Sequence, residues 1–272
     1  MPFGQVRDIR VYHEIVGAGP RLLFINGTNA DLRRRQPYVD KLSEHFTVLR
    51  YDQRGLGQTD KPDKPYTMAD YADDAAALMA LAGWDRAAVL GVSFGGSVAQ
   101  ELARRHPQRI TRMVLACSNP GGRFGYPLLE LHGKDAETRA RTMLGLDLRK
   151  SETWQAAHPD ETKALIEQGK KRGGAVDPGD PHAAMGARRQ LEAREQHDAL
   201  GWLDQISVPV ALFGGRYDGL GTEAGQRAMA GKIPGSVMRL FEGAHAFLNE
   251  DPEALPAVVD FLAADALGRH TG

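Results

Sequence analysis

The chain has 272 residues, 42% of them hydrophobic and 25% charged, with 34 Lys and Arg against 35 Asp and Glu for a net charge of −1. That length suits one large domain, or a domain carrying an insertion, and the composition is that of a folded globular protein. Balanced charge offers no footprint for nucleic acid or an anionic membrane, and no apolar stretch reaches the roughly 18 residues of a membrane span, so the expected partner is a small molecule.

The first residues, MPFGQVRDIR, lack the apolar core of a signal peptide, and a cytoplasmic location is expected. Oligomeric state is left open, with a homodimer allowed. Cys117 is the only cysteine, which excludes an intramolecular disulfide or a Cys-based zinc site. It follows the apolar run Met113 to Ala116 and reads as a buried structural thiol.

Along the chain, short β-like runs alternate with helical patterns, the signature of a parallel sheet wrapped by helices. Gln5–Ile9 and Arg10–Val16 read as an initial hairpin or meander, and Leu22–Ile25 and Phe46–Tyr51 as buried strands. Met68–Leu81 has helical spacing and ends at Gly83, a candidate C-cap. Ala87–Val92 is a strand, Gly96–Arg105 a helix and Ile110–Ala116 a strand. The rhythm then breaks. From 119 to 203 no convincing buried strand occurs, and helical pieces at Glu137–Leu144 and Ala183–Gln196 are separated by loops such as Asp177–Pro181. Residues 121–200 carry 13 basic and 13 acidic side chains, so this is an inserted helical unit and not a charged tail. The sheet pattern resumes with Val208–Phe213, a helix near Thr222–Gly231, a strand at Val237–Phe241 and a closing helix over Pro252–Ala264.

Gly91-Val92-Ser93-Phe94-Gly95 stands between a strand and a helix. A serine there occupies a tight, strained turn that only small neighbours permit, and the turn lifts its hydroxyl above the carboxyl edge of the sheet. A serine hydroxyl needs a base, normally a histidine held in one tautomer by a carboxylate. Of nine histidines, His106, His158, His182, His197 and His270 sit in helix-end or loop contexts where a solvated side chain is expected. His245 instead follows the last strand and precedes the last helix. The acid belongs on a strand end between serine and histidine: Asp218, in the glycine-rich loop after Val210–Phe213, fits, whereas its rival Asp204 precedes that strand and falls at the wrong end of the sheet.

With nucleophile, acid and base in the order Ser93, Asp218, His245, the chain resembles the α/β-hydrolase fold family over nearly its whole length. Tyr51-Asp52-Gln53-Arg54-Gly55-Leu56-Gly57-Gln58-Thr59 is similar to the family's D-x-R-G-x-G-x-S/T loop, with Arg54 tying neighbouring loops together. The resemblance implies a mostly parallel eight-stranded sheet flanked by helices, formed by residues 1–118 and 204–272, with 119–203 as a helical cap. Family members usually carry His-Gly after the third strand; here the stretch is Asn26-Gly27-Thr28. By position, the Thr28 and Phe94 amides are expected to form the oxyanion hole, with Asn26 and Gly27 beside the substrate or Asn26 ordering the turn through its side chain. The same loop is similar to that of 3-oxoadipate enol-lactone hydrolases. Arg33 could there meet a substrate carboxylate, or Arg33-Arg34-Arg35 could be a solvated helix face.

The resulting expectation is a serine hydrolase that cleaves a carboxylic ester or lactone through an acyl-enzyme, with no metal or organic cofactor required. The alternatives are the same framework turned to carbon–carbon hydrolysis, perhydrolysis or a lyase step, and, less favoured, a non-catalytic ligand-binding relative. Apolar cap residues, Met143 and Trp154 foremost, are candidates for the pocket roof, each against the alternative of packing in the cap's own core.

Overall fold

In a computed structural model of the chain, which describes residues 2–34, 37–172 and 179–264, the apolar runs form one eight-stranded sheet. Its strands are β1 (Phe3–Val6), β2 (Ile9–Val16), β3 (Arg21–Ile25), β4 (Thr47–Tyr51), β5 (Ala87–Val92), β6 (Ile110–Ala116), β7 (Val210–Gly215) and β8 (Val237–Phe241). They lie in the order β1-β2-β4-β3-β5-β6-β7-β8. β2 runs antiparallel to β1 and β4, and every other pairing is parallel. Arg35, His270 and the Asp177–Pro178 part of the expected loop lie outside the described residues.

Side-chain alternation along the central strands splits the core between two faces, as a sheet covered on both sides requires. Leu23, Ile25, Val89 and Leu115 face one layer, which contains helices α2 (Met68–Leu81) and α3 (Phe94–Arg105). Leu22, Phe24, Leu90 and Val114 face the other, with α1 (Pro37–Leu42) and α10 (Ala254–Ala263). α2 begins in a capping box between Thr67 and Asp70. It ends with Ala82 as C-cap and Gly83 one step beyond at φ 69°, where the Gly83 and Trp84 amides close a Schellman motif on Ala80 and Met79.

Several expected boundaries shift: β7 runs over Val210–Gly215 and not Val208–Phe213, and the closing helix over Ala254–Ala263 and not Pro252–Ala264. The opening strand ends at Val6, because the hairpin turns at Arg7–Asp8, with Arg7 at φ 51° and Val6 paired to Ile9. Phe94 and Gly95 belong to α3, which starts immediately after Ser93. The sequence reading also passed over α1, which is only one and a half turns long and too short for a periodicity to register.

Between β6 and β7 the chain forms α4 (Ala136–Gly145), α5 (Glu152–Ala157), α6 (Pro159–Arg172) and α7 (Ala183–Glu195), and no strand among the described residues. After β7 come α8 (Glu223–Ala230) and, past β8, α9 (Phe247–Glu250). Several attachments hold the inserted segment to the rest of the chain. Leu146 and Leu148 pair with the loop after β7 through Gly219 and Tyr217. Gly186 on α7 lies so close to Gly55 that a Cβ there would strike the Gly55 carbonyl. The Gln190 side chain accepts the Asn29 amide at 2.9 Å.

Candidate active site

β5 runs straight into α3 with a single residue, Ser93, at the corner. Its backbone sits at φ 55°, ψ −117°, a conformation unfavourable for a residue with a Cβ. The surroundings impose it. A Cβ on Gly91 would run into the Gly95 carbonyl, and one on Gly95 into the Ile25 carbonyl of β3, so strand, helix and neighbouring strand meet only where side chains are missing. The Ser93 amide is anchored on the Ala116 carbonyl at 2.8 Å, and its own carbonyl accepts the Gly96 amide at 2.8 Å.

The loops after β7 and β8 bring two more groups to this corner. His245 Nε2 lies 3.0 Å from Ser93 Oγ, and His245 Nδ1 lies 2.8 Å from Asp218 Oδ2. Asp218 has a fully buried side chain, and its second oxygen accepts the Leu220 and Gly221 amides at 2.8 and 2.9 Å. Those two amides hold the carboxylate in place, so in the neutral ring Nδ1–H donates to Asp218 and Nε2 is left to accept from the serine. The imidazole is 31% exposed. Burial opposes its charged form, but the neighbouring Cys117 and the Asp218 carboxylate outweigh that, and the ring holds a proton well above the ordinary histidine range.

The loop after β3 supplies the remaining backbone donors. Asn26 is buried, and its side-chain oxygen accepts the Gly27 amide at 2.8 Å, so it orders the turn from within. Gly27 brings the loop against Ser93, since a Cβ there would lie 3.5 Å from the serine Cβ. The Thr28 amide has no acceptor among the described residues, and the Phe94 amide opens α3, where the first N–H groups find no intrahelical partner. Both are therefore available to a developing oxyanion. Neighbouring loops brace this one. Gln53 donates to the Asn26 carbonyl at 2.9 Å, and Asp52 accepts the Leu32 and Gln58 amides at 2.7 and 2.9 Å, its carboxyl pushed up to about 6 by burial. Buried Arg54 grips Asp74 and Asp8, the loop-tying part expected of it.

One cavity adjoins the serine and a second lies behind it. The first is small, about 10 Å³, and is lined by Ser93, Phe94, Cys117 and Leu220 among others. The second is larger, about 200 Å³, and Ser97, Asn119 and Arg194 line both. None of the five sequence-proposed binding residues lines either one, Asn26 and Gly27 remaining in the turn after β3. Arg33 folds back onto Asp31, two residues away, with contacts of 2.6 to 3.1 Å, so its charge is already matched. Trp154 is stacked on His158 with Lys150 against the ring, and Met143 is 42% exposed. Apolar character suggested both, but in a short amphipathic helix it does not say which way a side chain turns.

Conversely, Arg194 and His197 escaped the sequence reading. His197 is buried, not solvated: its ring donates to Gln100 at 3.2 Å, and burial holds its pKa down to about 4, so it is neutral. A charged flanking sequence, Arg194-Glu195-Gln196, disguised it. Cys117 is buried as expected, at φ 42° beside the serine. Among the described residues no cluster of three or more His, Cys, Asp or Glu could hold a metal ion, and no helix is long and apolar enough to cross a membrane.

A model of the alpha/beta hydrolase fold family matches residues 20–252. A poly(3-hydroxyalkanoate) depolymerase from Ectopseudomonas oleovorans is 27% identical, the match covering 89% of this chain and 83% of the relative. A 2-(acetamidomethylene)succinate hydrolase from Mesorhizobium japonicum is 28% identical over 91% of this chain and 90% of its own. Among solved structures, the enol-lactonase from Burkholderia xenovorans LB400 superposes with a TM-score of 0.72 at 27% identity, covering 96% of this chain and all of that one.

Proposed function

Because the chain belongs to the alpha/beta hydrolase family, we propose that it cleaves a carboxylic ester or lactone through an acyl-enzyme formed on Ser93. The observation that carries this reading is the hydrogen-bonded line from Ser93 through His245 to Asp218, at 3.0 and 2.8 Å, on a turn whose strain has no other use. His245 Nε2 takes the serine proton as Oγ attacks the carbonyl carbon, and Asp218 stabilises the imidazolium that forms. The Phe94 and Thr28 amides hold the tetrahedral oxyanion. His245 then returns the proton to the leaving alkoxide, and a water that His245 deprotonates releases the acid. In a lactone the alkoxide stays attached, and the product is one hydroxy acid.

The names of two relatives, a poly(3-hydroxyalkanoate) depolymerase and an enol-lactonase, favour ester or lactone bonds over the carbon–carbon alternative. Residues 119–203 act here as a cap, with α7 against the site and α4 to α6 farther out. Purified protein offered short-chain aryl esters and a set of lactones should release acid from at least one. A folded protein that left every one intact would refute the reading.

A further inference from the structure

Within the larger cavity, one side chain is out of keeping with a neutral acyl pocket. Arg194 stands on α7 one turn after Gln190, so both look from the same face of the helix toward the serine and its loop. Most other arginines near the site are spent: Arg33 on Asp31, Arg54 on Asp74 and Asp8, Arg149 on Asp147 and Glu250. Among the described residues Arg194 makes one hydrogen bond, from Nη1 to the Tyr126 carbonyl at 2.6 Å, and no ion pair. Its other N–H groups have no acceptor among the described residues. Glu195 borders the same cavity but is exposed at the rim and does not pair with it. Burial acts against the guanidinium and lowers its pKa, and the charge of Glu195 at the rim only partly offsets this.

The neighbours sharpen the point. Ser97, one helical turn after Ser93, is buried in the fold, lines both cavities, and its hydroxyl has no partner among the described residues. Asn119, by contrast, is consumed: it donates to the Leu220 carbonyl and accepts the Gly121 amide. Neutral His197 adds no second positive charge. The cavity thus offers a single cation, Arg194, with the Ser97 hydroxyl in the same lining, a set that suits a single planar monoanion better than a phosphate, which would call for further cations.

We infer that the substrate carries a carboxylate, held by Arg194 and Ser97, a few bonds from the carbonyl that Ser93 attacks. The position relative to the attacked carbonyl rests on the hydrolase reading; the anion site itself does not. The test pairs 4-nitrophenyl hydrogen glutarate with 4-nitrophenyl pentanoate, whose acyl chains match in length and differ in the terminal carboxylate. The native protein should favour the glutarate hemiester by about 10-fold or more in kcat/KM, and Arg194→Met should lower that ratio by about 10-fold, with Arg194→Lys between. A native ratio near one, or a ratio unchanged in Arg194→Met while both rates fall, would overturn the inference by making Arg194 structural. Binding is read separately on Ser93→Ala protein, where glutarate should raise Tm and should fail to do so in Ser93→Ala/Arg194→Met. If neither ester is hydrolysed but this Arg194-dependent shift appears, the hydrolase reading falls and the carboxylate site stands. If both esters turn over at equal rates and glutarate leaves Tm unmoved, the reverse holds.

Discussion

The corner at Ser93 and the helical segment between β6 and β7 make opposite demands on sequence. At the corner, backbone meets backbone: Gly91 and Gly95 each mark a place where a side chain would strike a carbonyl, and the requirement is absolute at those positions. In the inserted segment, helices meet through side chains of many admissible shapes, and Gly133, at φ 86° with open space around it, shows how little is forced there. On the proposed function, chemistry sits where the backbone is constrained, and selectivity where it is not.

The sharpest break of that contrast comes from the acid–base pair. His245→Ala should lower kcat by a factor on the order of 10⁴ or more, because the imidazole serves every proton transfer, while circular dichroism shows the fold retained. Asp218→Asn should be damaging as well and should also move the rising limb of kcat/KM to lower pH. The sign follows from the geometry: the carboxylate stabilises the imidazolium, the active form of the base is neutral, and removing the charge lets the ring lose its proton earlier. A limb that stays in place would mean that Asp218 does not set the titration.

Next in size is a pair of glycines. Gly95→Ala should cost roughly 3 kcal/mol or more in chemical denaturation, since the new methyl group meets β3 backbone. Gly133→Ala should cost only about 1 kcal/mol, the price of a positive φ alone. Equal losses would erase the distinction between the two regions.

His197 tests the boundary between them. An unfolded histidine takes up a proton near pH 6.5, whereas the buried ring stays neutral down to about 4. Its contribution is therefore whole above pH 6.5 and drains away as pH falls toward 4, by on the order of 3 kcal/mol. Thermal unfolding across that window should show the decline, and His197→Gln should flatten it. The smallest effect is expected at Trp154, whose ring is occupied by His158 and Lys150. Trp154→Ala should leave the ranking of ester substrates unchanged; a reordered ranking would bring the outer helices back into the pocket.

The same contrast explains what the sequence disclosed. Glycines at fixed offsets from Ser93, and the positions of Asp218 and His245 just after strands, are local signals, because a strand end determines where the next side chain stands. β5 and β6 were legible to the residue for a related reason: nearly fully buried strands are near-continuous apolar runs. Met143 and Trp154 misled because apolar side chains on short helices have several surfaces to cover. Arg194 and His197 stayed hidden because their burial depends on the distant Tyr126 and Gln100, which no spacing reveals. Arg33 misled by proximity: Asp31, two residues away, already claims it.

The central claim is that Ser93 is the nucleophile, activated by His245. Its most direct measurement is intact-protein mass after exposure to a fluorophosphonate, which reacts with an activated serine and leaves an inert one alone. The native protein should gain one adduct, mapped by peptide sequencing to Ser93, with Ser93→Ala unlabelled and His245→Ala labelled far more slowly. An adduct of equal yield on Ser93→Ala, or none on the folded native protein, would contradict it.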